Sequence, residues 1–321
     1  MSTKGSLDVV TYGEPLVVLV AEEPGPLAQV RSFRKCIAGA ELNVAVGLAR
    51  LGFNVGYASR VGTDSFGQFV TQALLEHGID AAHVTIDPVH STGFYLKSCV
   101  LDGTDPEVEY HRQGSAATHL SPVDYDAAYF ASARHVHLSG VAPAISPGSL
   151  ALATHIASEA RAAGAQCISF DPNLRPVLWP STGDMIQQIR GLAAFAHWVL
   201  PGLEEGRILT GAQSPAAIAD FFLQRGAQGV IVKLGAAGAF LKSAQQELQV
   251  AAAPVAQVVD TVGAGDGFAV GFISALLEGR EPERAVERGN LVAGLTIQVA
   301  GDSDGLPTRA ELDSLQVRRR V

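Results

Sequence analysis

The sequence predicts an α/β protein built on a mostly parallel sheet, with a small group of extra strands beside it. Three observations predict this. Apolar runs rich in β-branched residues alternate with Ala/Leu-rich stretches of helical period along most of the chain, the pattern of parallel strands joined by covering helices. Two stretches, 16–35 and 90–112, break that rhythm with period-two alternation, as in Gly93-Phe94-Tyr95-Leu96-Lys97-Ser98-Cys99-Val100, which predicts short antiparallel strands outside the main sheet. Late in the chain a glycine-rich loop runs straight into a helical pattern, which leaves free backbone N–H groups at a helix mouth.

In chain order, strands are expected at 9–12, 55–59, 135–138, 167–170, 198–200 and 230–233, and helices at 41–51, 67–77, 150–163, 216–225, 266–277 and 284–300. The two irregular stretches, 16–35 and 90–112, are expected to form a small β lid over a substrate cleft. No long linker, low-complexity run or fixed-period repeat interrupts the chain, so residues 1–321 read as a single domain carrying that lid.

Composition narrows the function. The chain has 321 residues, 47% hydrophobic and 17% charged, the profile of a soluble globular protein with a large core. Its net charge of −9 argues against a nucleic-acid partner, which needs a basic surface to displace counterions. The one basic cluster, residues 318–320, reads as a frayed tail. No apolar run reaches the roughly 18 residues of a membrane span, and the first residues lack the layout of a signal peptide, so a cytoplasmic protein without a membrane partner is expected. Cys36, Cys99 and Cys167 are far apart and form no CxxC pair, which predicts ordinary reduced thiols.

The most informative stretch is Asp260-Thr261-Val262-Gly263-Ala264-Gly265-Asp266-Gly267-Phe268. Small residues let the backbone approach a ligand closely, and the N–H groups and positive dipole end of the following helix suit phosphate oxygens. Such a loop stabilises a phosphoryl group in transfer. Asp266 stands where an N-cap residue would stand, and capping is its plain structural alternative. A cap does not account for glycines at 263, 265 and 267 around it. A carboxylate there can instead take the proton of an attacking hydroxyl.

This loop resembles the DTxGAGD signature of the ribokinase-like (PfkB) carbohydrate kinases. The resemblance implies an anion hole at Gly263, Ala264 and Gly265 and a catalytic base at Asp266. It also implies ATP and Mg2+ as cofactors and, as in some members, a monovalent cation such as K+ near Asp260. The implied fold is a three-layer α/β/α sandwich with a mostly parallel sheet and a small β-strand lid. Near the N-terminus, Ala38-Gly39-Ala40-Glu41-Leu42-Asn43-Val44-Ala45 resembles the family's GGAxxNVA motif with Ala38 in place of its first glycine, which implies sugar contacts at Gly39 and Asn43. Alone, the segment also fits an ordinary amphipathic helix.

In an open α/β sheet ligands gather outside the carboxyl ends of the strands. Leu200-Pro201-Gly202-Leu203-Glu204-Glu205 resembles the family's NxxE motif with Gly202 at the asparagine position, implying that Glu205 organises magnesium through water. A charge in a helix's first turn is the alternative. Lys233-Leu234-Gly235-Ala236-Ala237-Gly238 resembles the loop beside the nucleotide, implying contacts from Lys233, Gly235 and Gly238, while a hairpin turn is the structural alternative. Asn290 falls on a helix that lines the adenine pocket in relatives. No GxxxxGK[ST] loop occurs and no GxGxxG follows the first strand, where Tyr12-Gly13-Glu14-Pro15 stands, which argues against P-loop enzymes and dehydrogenases.

Within the family the chain most resembles 2-keto-3-deoxygluconate kinases. The segments that carry this are Ala40-Glu41-Leu42-Asn43, Tyr110-His111-Arg112-Gln113-Gly114-Ser115 and Asp171-Pro172-Asn173-Leu174-Arg175-Pro176. It implies that Tyr95, Tyr110, Arg112 and Arg175 contact the sugar. Two arginines in one cleft favour a sugar acid over a neutral sugar, because a guanidinium matches a carboxylate with paired donors. Arg175 bracing its loop through Asp171 is the alternative. Kinases of fructose, tagatose or ribose share most of these motifs, and a non-catalytic sugar-binding regulator on the same fold is a further class. Open strand edges in the lid predict a homo-oligomer.

Overall fold

The computed structural model describes residues 6–100, 106–164, 167–299 and 301–318. Residue 300, residues 101–105 of the expected lid, and Arg319 and Arg320 of the basic cluster lie outside them.

The chain opens with β1 (Leu7–Tyr12), β2 (Leu16–Pro24), β3 (Phe33–Ala38), α1 (Ala40–Arg50), β4 (Val55–Gly62), α2 (Ser65–Glu76) and β5 (Asp80–Asp87). Then come β6 (Phe94–Cys99), β7 (Val108–His111), α3 (Ala127–Ala131), β8 (Ala133–Ser139), α4 (Pro147–Ala163), β9 (Cys167–Asp171) and α5 (Thr182–Ala193). The remainder is β10 (Trp198–Val199), α6 (Leu203–Thr210), α7 (Pro215–Leu223), β11 (Gly229–Lys233), β12 (Ala239–Ser243), β13 (Glu247–Val250), α8 (Ala264–Leu277), α9 (Pro282–Thr296) and α10 (Arg309–Arg318).

Nine of these strands form one sheet in the order β13-β12-β11-β10-β9-β8-β1-β4-β5. It is parallel from β11 to β5, and only β12 and β13 run antiparallel at one edge. The strands show why both faces are covered. On β1, Val9 packs with Leu42, Val70, Phe272 and Val286 from α1, α2, α8 and α9. Its neighbours Val10 and Tyr12 point the other way, toward Leu152, Ile189 and Ile218 from α4, α5 and α7. Successive side chains of a strand alternate faces, so near-continuous apolar strands demand a helix layer on each side. The result is three layers, α/β/α.

The other four strands form a small sheet in the order β3-β2-β6-β7. Its central pair, β2 and β6, is parallel, where alternation predicted antiparallel strands throughout. The reason is topological: β2 follows β1 and β6 follows β5, so both leave the carboxyl side of the main sheet in the same direction. Pairing with β2 also carries β3 on to Ala38, three residues past the expected edge.

Helix boundaries shift where capping chemistry decides them. α2 starts at Ser65 because the Asp64 side chain accepts the N–H groups of Phe66 and Gly67. α4 starts at Pro147 behind Ser146, whose hydroxyl accepts from Ser149 N–H. The expected helix 284–300 is α9, which ends at Thr296. The largest correction concerns α8: its N-cap is Gly263, not Asp266. Asp266 is the third residue of the helix, and its side chain caps nothing.

Candidate active site

The carboxyl ends of the parallel strands supply most of the functional side chains. Glu14 follows β1, Asp171 ends β9 with Asn173 and Arg175 just beyond, Glu205 lies in the first turn of α6 after β10, and Lys233 ends β11. All six line one cleft of about 360 Å³. The small sheet closes one side with Tyr95, Lys97 and Tyr110, and the loop 261–266 forms the floor.

The floor owes its shape to Gly263. Its φ of +79° lies in the left-handed region, and a Cβ there would stand 2.3 Å from the Asp302 carbonyl oxygen, so only glycine fits. The turn leaves the N–H groups of Gly265 and Asp266 with no hydrogen-bond partner among the described residues, at the positive end of a 14-residue helix. A Cβ at Gly265 would lie 3.3 Å from Lys233 Nζ and 3.6 Å from Asp171 Oδ2, a close but not forbidden approach. Gly267 serves packing instead: a Cβ there would stand 2.4 Å from Thr296 Oγ1 on α9.

Asp266 faces the cleft. Its Oδ2 accepts a 2.7 Å hydrogen bond from Asn43 Nδ2. Exclusion of water pushes its carboxyl up to about 8, opposed by the Asn43 bond, reinforced by the charges of Asp171 and Glu41 and opposed again by Lys233. A group poised there suits proton transfer near neutral pH. Asn43 sits one turn into α1, whose N-cap is Gly39 at φ +135°. Asn43 Oδ1 is buried without a partner, which leaves an acceptor for a hydroxyl in the cleft.

The charged side chains pair in ways the sequence did not suggest. Lys233 Nζ binds Asp171 Oδ2 at 2.6 Å, so Asp171 is not the brace of Arg175. The Arg175 guanidinium is exposed in the cleft and, among the described residues, donates only to the Leu174 carbonyl, at 2.9 Å. Arg112 gives two of its nitrogens to buried Glu14, Nε at 2.7 Å and Nη2 more closely. Ser115 Oγ adds a third donor to Glu14 at 2.5 Å. Above them, Tyr110 packs at a tilt against Tyr95 with ring centres 5.1 Å apart, and the Tyr95 hydroxyl donates to Asp302 Oδ2 at 2.5 Å. His111 lies flat on Phe94, 4.7 Å away, which explains an aromatic ring at that position.

Three expected nucleotide-side residues make structural contacts. Gly235 and Gly238 build the hairpin between β11 and β12, closed by Leu234 N–H on the Gly238 carbonyl at 2.8 Å, and neither lines the cleft. Gly238 is glycine because a Cβ would collide with the Val250 carbonyl. Asn290 is buried in α9 and donates to the carbonyls of Val250 and Ala251 at 3.2 and 3.0 Å, tying that helix to the end of β13 away from the cleft. Of the expected nucleotide-side residues outside the glycine loop, only Lys233 lines it.

Glu205 lines the cleft, but both its oxygens are engaged, Oε1 with Leu174 N–H and Oε2 with Gly202 N–H, each at 2.7 Å. No trio of acidic, His or Cys side chains gathers as a metal cage among the described residues. A magnesium ion in this cleft would therefore have to be held mainly by nucleotide phosphates and water. A monovalent ion does not fit at Asp260: its Oδ2 accepts Lys97 Nζ at 2.6 Å and its Oδ1 accepts Val262 N–H at 3.0 Å. Lys97, Glu14 and Asp302 were missed by motif reading. The one available signal was a lone lysine inside the apolar alternation 94–100.

The comparisons with known proteins agree with this geometry. The 2-dehydro-3-deoxygluconokinase of Bacillus subtilis is 46% identical over 316 residues, covering 98% of this chain and 97% of the relative. A PfkB protein from Polaromonas sp. JS666 superposes with a TM-score of 0.89 at 51% identity, over 96% of this chain and 99% of that one. A putative ribokinase II from E. coli, solved in complex with ATP and Mg2+, has a TM-score of 0.88 at 26% identity over 97% and 99% of the two chains. The family model described as pfkB family carbohydrate kinase matches residues 6–309. On a match that spans most of its length, the chain belongs to the pfkB family of carbohydrate kinases.

Proposed function

We propose that the protein transfers the γ-phosphoryl group of ATP to the terminal hydroxyl of a 2-keto-3-deoxy sugar acid, 2-dehydro-3-deoxygluconate, giving its 6-phosphate and ADP. The observation that carries the choice of an acid is Arg175, an exposed guanidinium in the same cleft as Asp266. The activity for which a 46% identical relative is named, 2-dehydro-3-deoxygluconokinase, supports it. Arg112 adds its remaining nitrogen, although Glu14 already balances its charge.

Asp266 takes the proton of the sugar hydroxyl as the oxygen attacks phosphorus, and the bond from phosphorus to the oxygen bridging to ADP breaks. The amides of Gly265 and Asp266 receive the charge that builds on the transferring group. Lys233, held by Asp171, adds a fixed positive charge beside that loop. Magnesium, when bound, neutralises phosphate charge. The small sheet acts as the lid, and its closure keeps water from competing with the sugar.

ADP release with 2-dehydro-3-deoxygluconate, fructose, tagatose, ribose and nucleosides as acceptors tests the proposal. Equal kcat/KM for the sugar acid and a neutral ketohexose would overturn it. Arg175→Ala is expected to raise KM for the sugar acid about 10- to 100-fold, the worth of a charge-assisted bond. Neutral acceptors should change far less, and a parallel loss on both would remove carboxylate recognition from Arg175.

A further inference from the structure

Beside the glycine loop lies a charge cluster that the proposed chemistry leaves unused. Lys97, on β6 of the small sheet, sends its ammonium to Asp260 Oδ2 at 2.6 Å and Asp302 Oδ1 at 3.2 Å. The three side chains are only 4%, 9% and 8% exposed, in that order. Two carboxylates this enclosed require a compensating positive charge, because neither solvent nor salt can screen them. Asp260 opens the loop, and Asp302 braces it from behind, with its carbonyl against Gly263.

We propose that Lys97 is the resident cation of the phosphoryl-transfer loop, a tethered ammonium that holds Asp260 and Asp302 together so that no free monovalent ion is needed there. The proposal rests on the kinase reading and deepens it, since it names how this chain positions its anion hole. Lys97 is a positioning residue: it acts on the loop through Asp260 and through Asp302, whose carbonyl lies against Gly263. It also joins the small sheet to the loop, because β6 contributes Tyr95 to the same Asp302. Lid and anion hole thereby share one anchor.

A second cavity of about 360 Å³ opens beside this cluster and is lined in part by Lys97, Asp260, Thr261 and Gly301. If the lysine is cut back, a small cation can reach Asp260 through it. This makes rescue by added ions the decisive test. Wild-type turnover, measured by ADP release in tetramethylammonium buffer, is expected to change by less than about twofold on adding KCl at constant ionic strength. Lys97→Ala is expected to lose roughly 10- to 100-fold in kcat in the same buffer and to regain much of it with K+ or NH4+. Its melting temperature should rise with KCl relative to tetramethylammonium chloride, while that of the wild type should not.

Three results would each overturn the assignment: severalfold stimulation of the wild type by KCl, full activity of Lys97→Ala without small cations, or a folded Lys97→Ala unresponsive to K+ and NH4+. Should the variant not fold, the wild-type salt response decides alone. Failure here leaves wild-type turnover intact, so it is distinguishable from failure of the kinase reading. A wild type inactive on every sugar sinks the latter, and the melting measurements still judge Lys97.

Discussion

Asp266→Asn is expected to lower kcat by roughly 10²- to 10⁴-fold while leaving ATP affinity within a few-fold, because it removes the proton acceptor and nothing that touches the nucleotide charge. The substitution is nearly isosteric and keeps an oxygen to receive the Asn43 amide, which donates at 2.7 Å in the native protein. A variant with full turnover would show that the proton leaves by another route. The wild-type profile of kcat/KM is expected to rise with pH and level off above about 8, where the Asp266 carboxyl loses its proton in the free protein.

The same shift makes a stability prediction of defined sign. Folding raises the Asp266 pKa from 3.8 to about 8, so between those values the native state holds a proton that the unfolded chain has released. Stability contributed by this group is therefore full below the lower value and falls as pH rises through the window. Asp266→Asn escapes that loss. Its melting temperature should exceed the wild type's at about pH 8 and converge with it near pH 4. A constant gap across that range would mean that the carboxyl ionises as freely in the fold as outside it.

Arg112→Ala is expected to cost about 3–5 kcal/mol of unfolding free energy in urea, since it strands a buried carboxylate. Glu14 is only 3% exposed and receives two Arg112 nitrogens plus Ser115. Adding Glu14→Gln should recover much of the loss by removing the charge left behind. The double variant separates folding from recognition: stable protein that still binds the sugar acid poorly would credit Arg112's free nitrogen with substrate contact. A loss under about 1 kcal/mol in the single variant would mean that Glu14 is already neutral or hydrated.

Much of the cleft was readable in the chain because its parts are local. Asp260 to Asp266 is one stretch that runs from a loop into the first turn of one helix, and the residue types alone favour tight backbone turns and free amides. Gly39 and Asn43 are likewise one helical turn apart, at the start of α1. Other local patterns had two structural uses. Gly235 and Gly238 could cradle phosphate or close a hairpin, and the pairing of β11 with β12 places them in a hairpin. Asp266 could cap a helix or face a cleft, and the left-handed turn at Gly263 moved the cap three residues upstream.

By itself, the sequence determined the layering and the reacting loop, since periodicity dictates which faces must be buried and small residues dictate where backbone can meet a phosphate. Tertiary structure alone decided which charges meet. Asn43 and Asp266 lie 223 positions apart, Lys97 and Asp260 lie 163 apart, and Arg112 and Glu14 lie 98 apart. An ion pair leaves no local pattern, because Coulomb attraction and desolvation depend on distance in space and not along the chain. Hence Asp266 could be singled out from its loop, whereas the lysine beside that loop and the glutamate that holds Arg112 became visible only once the strands had brought them together.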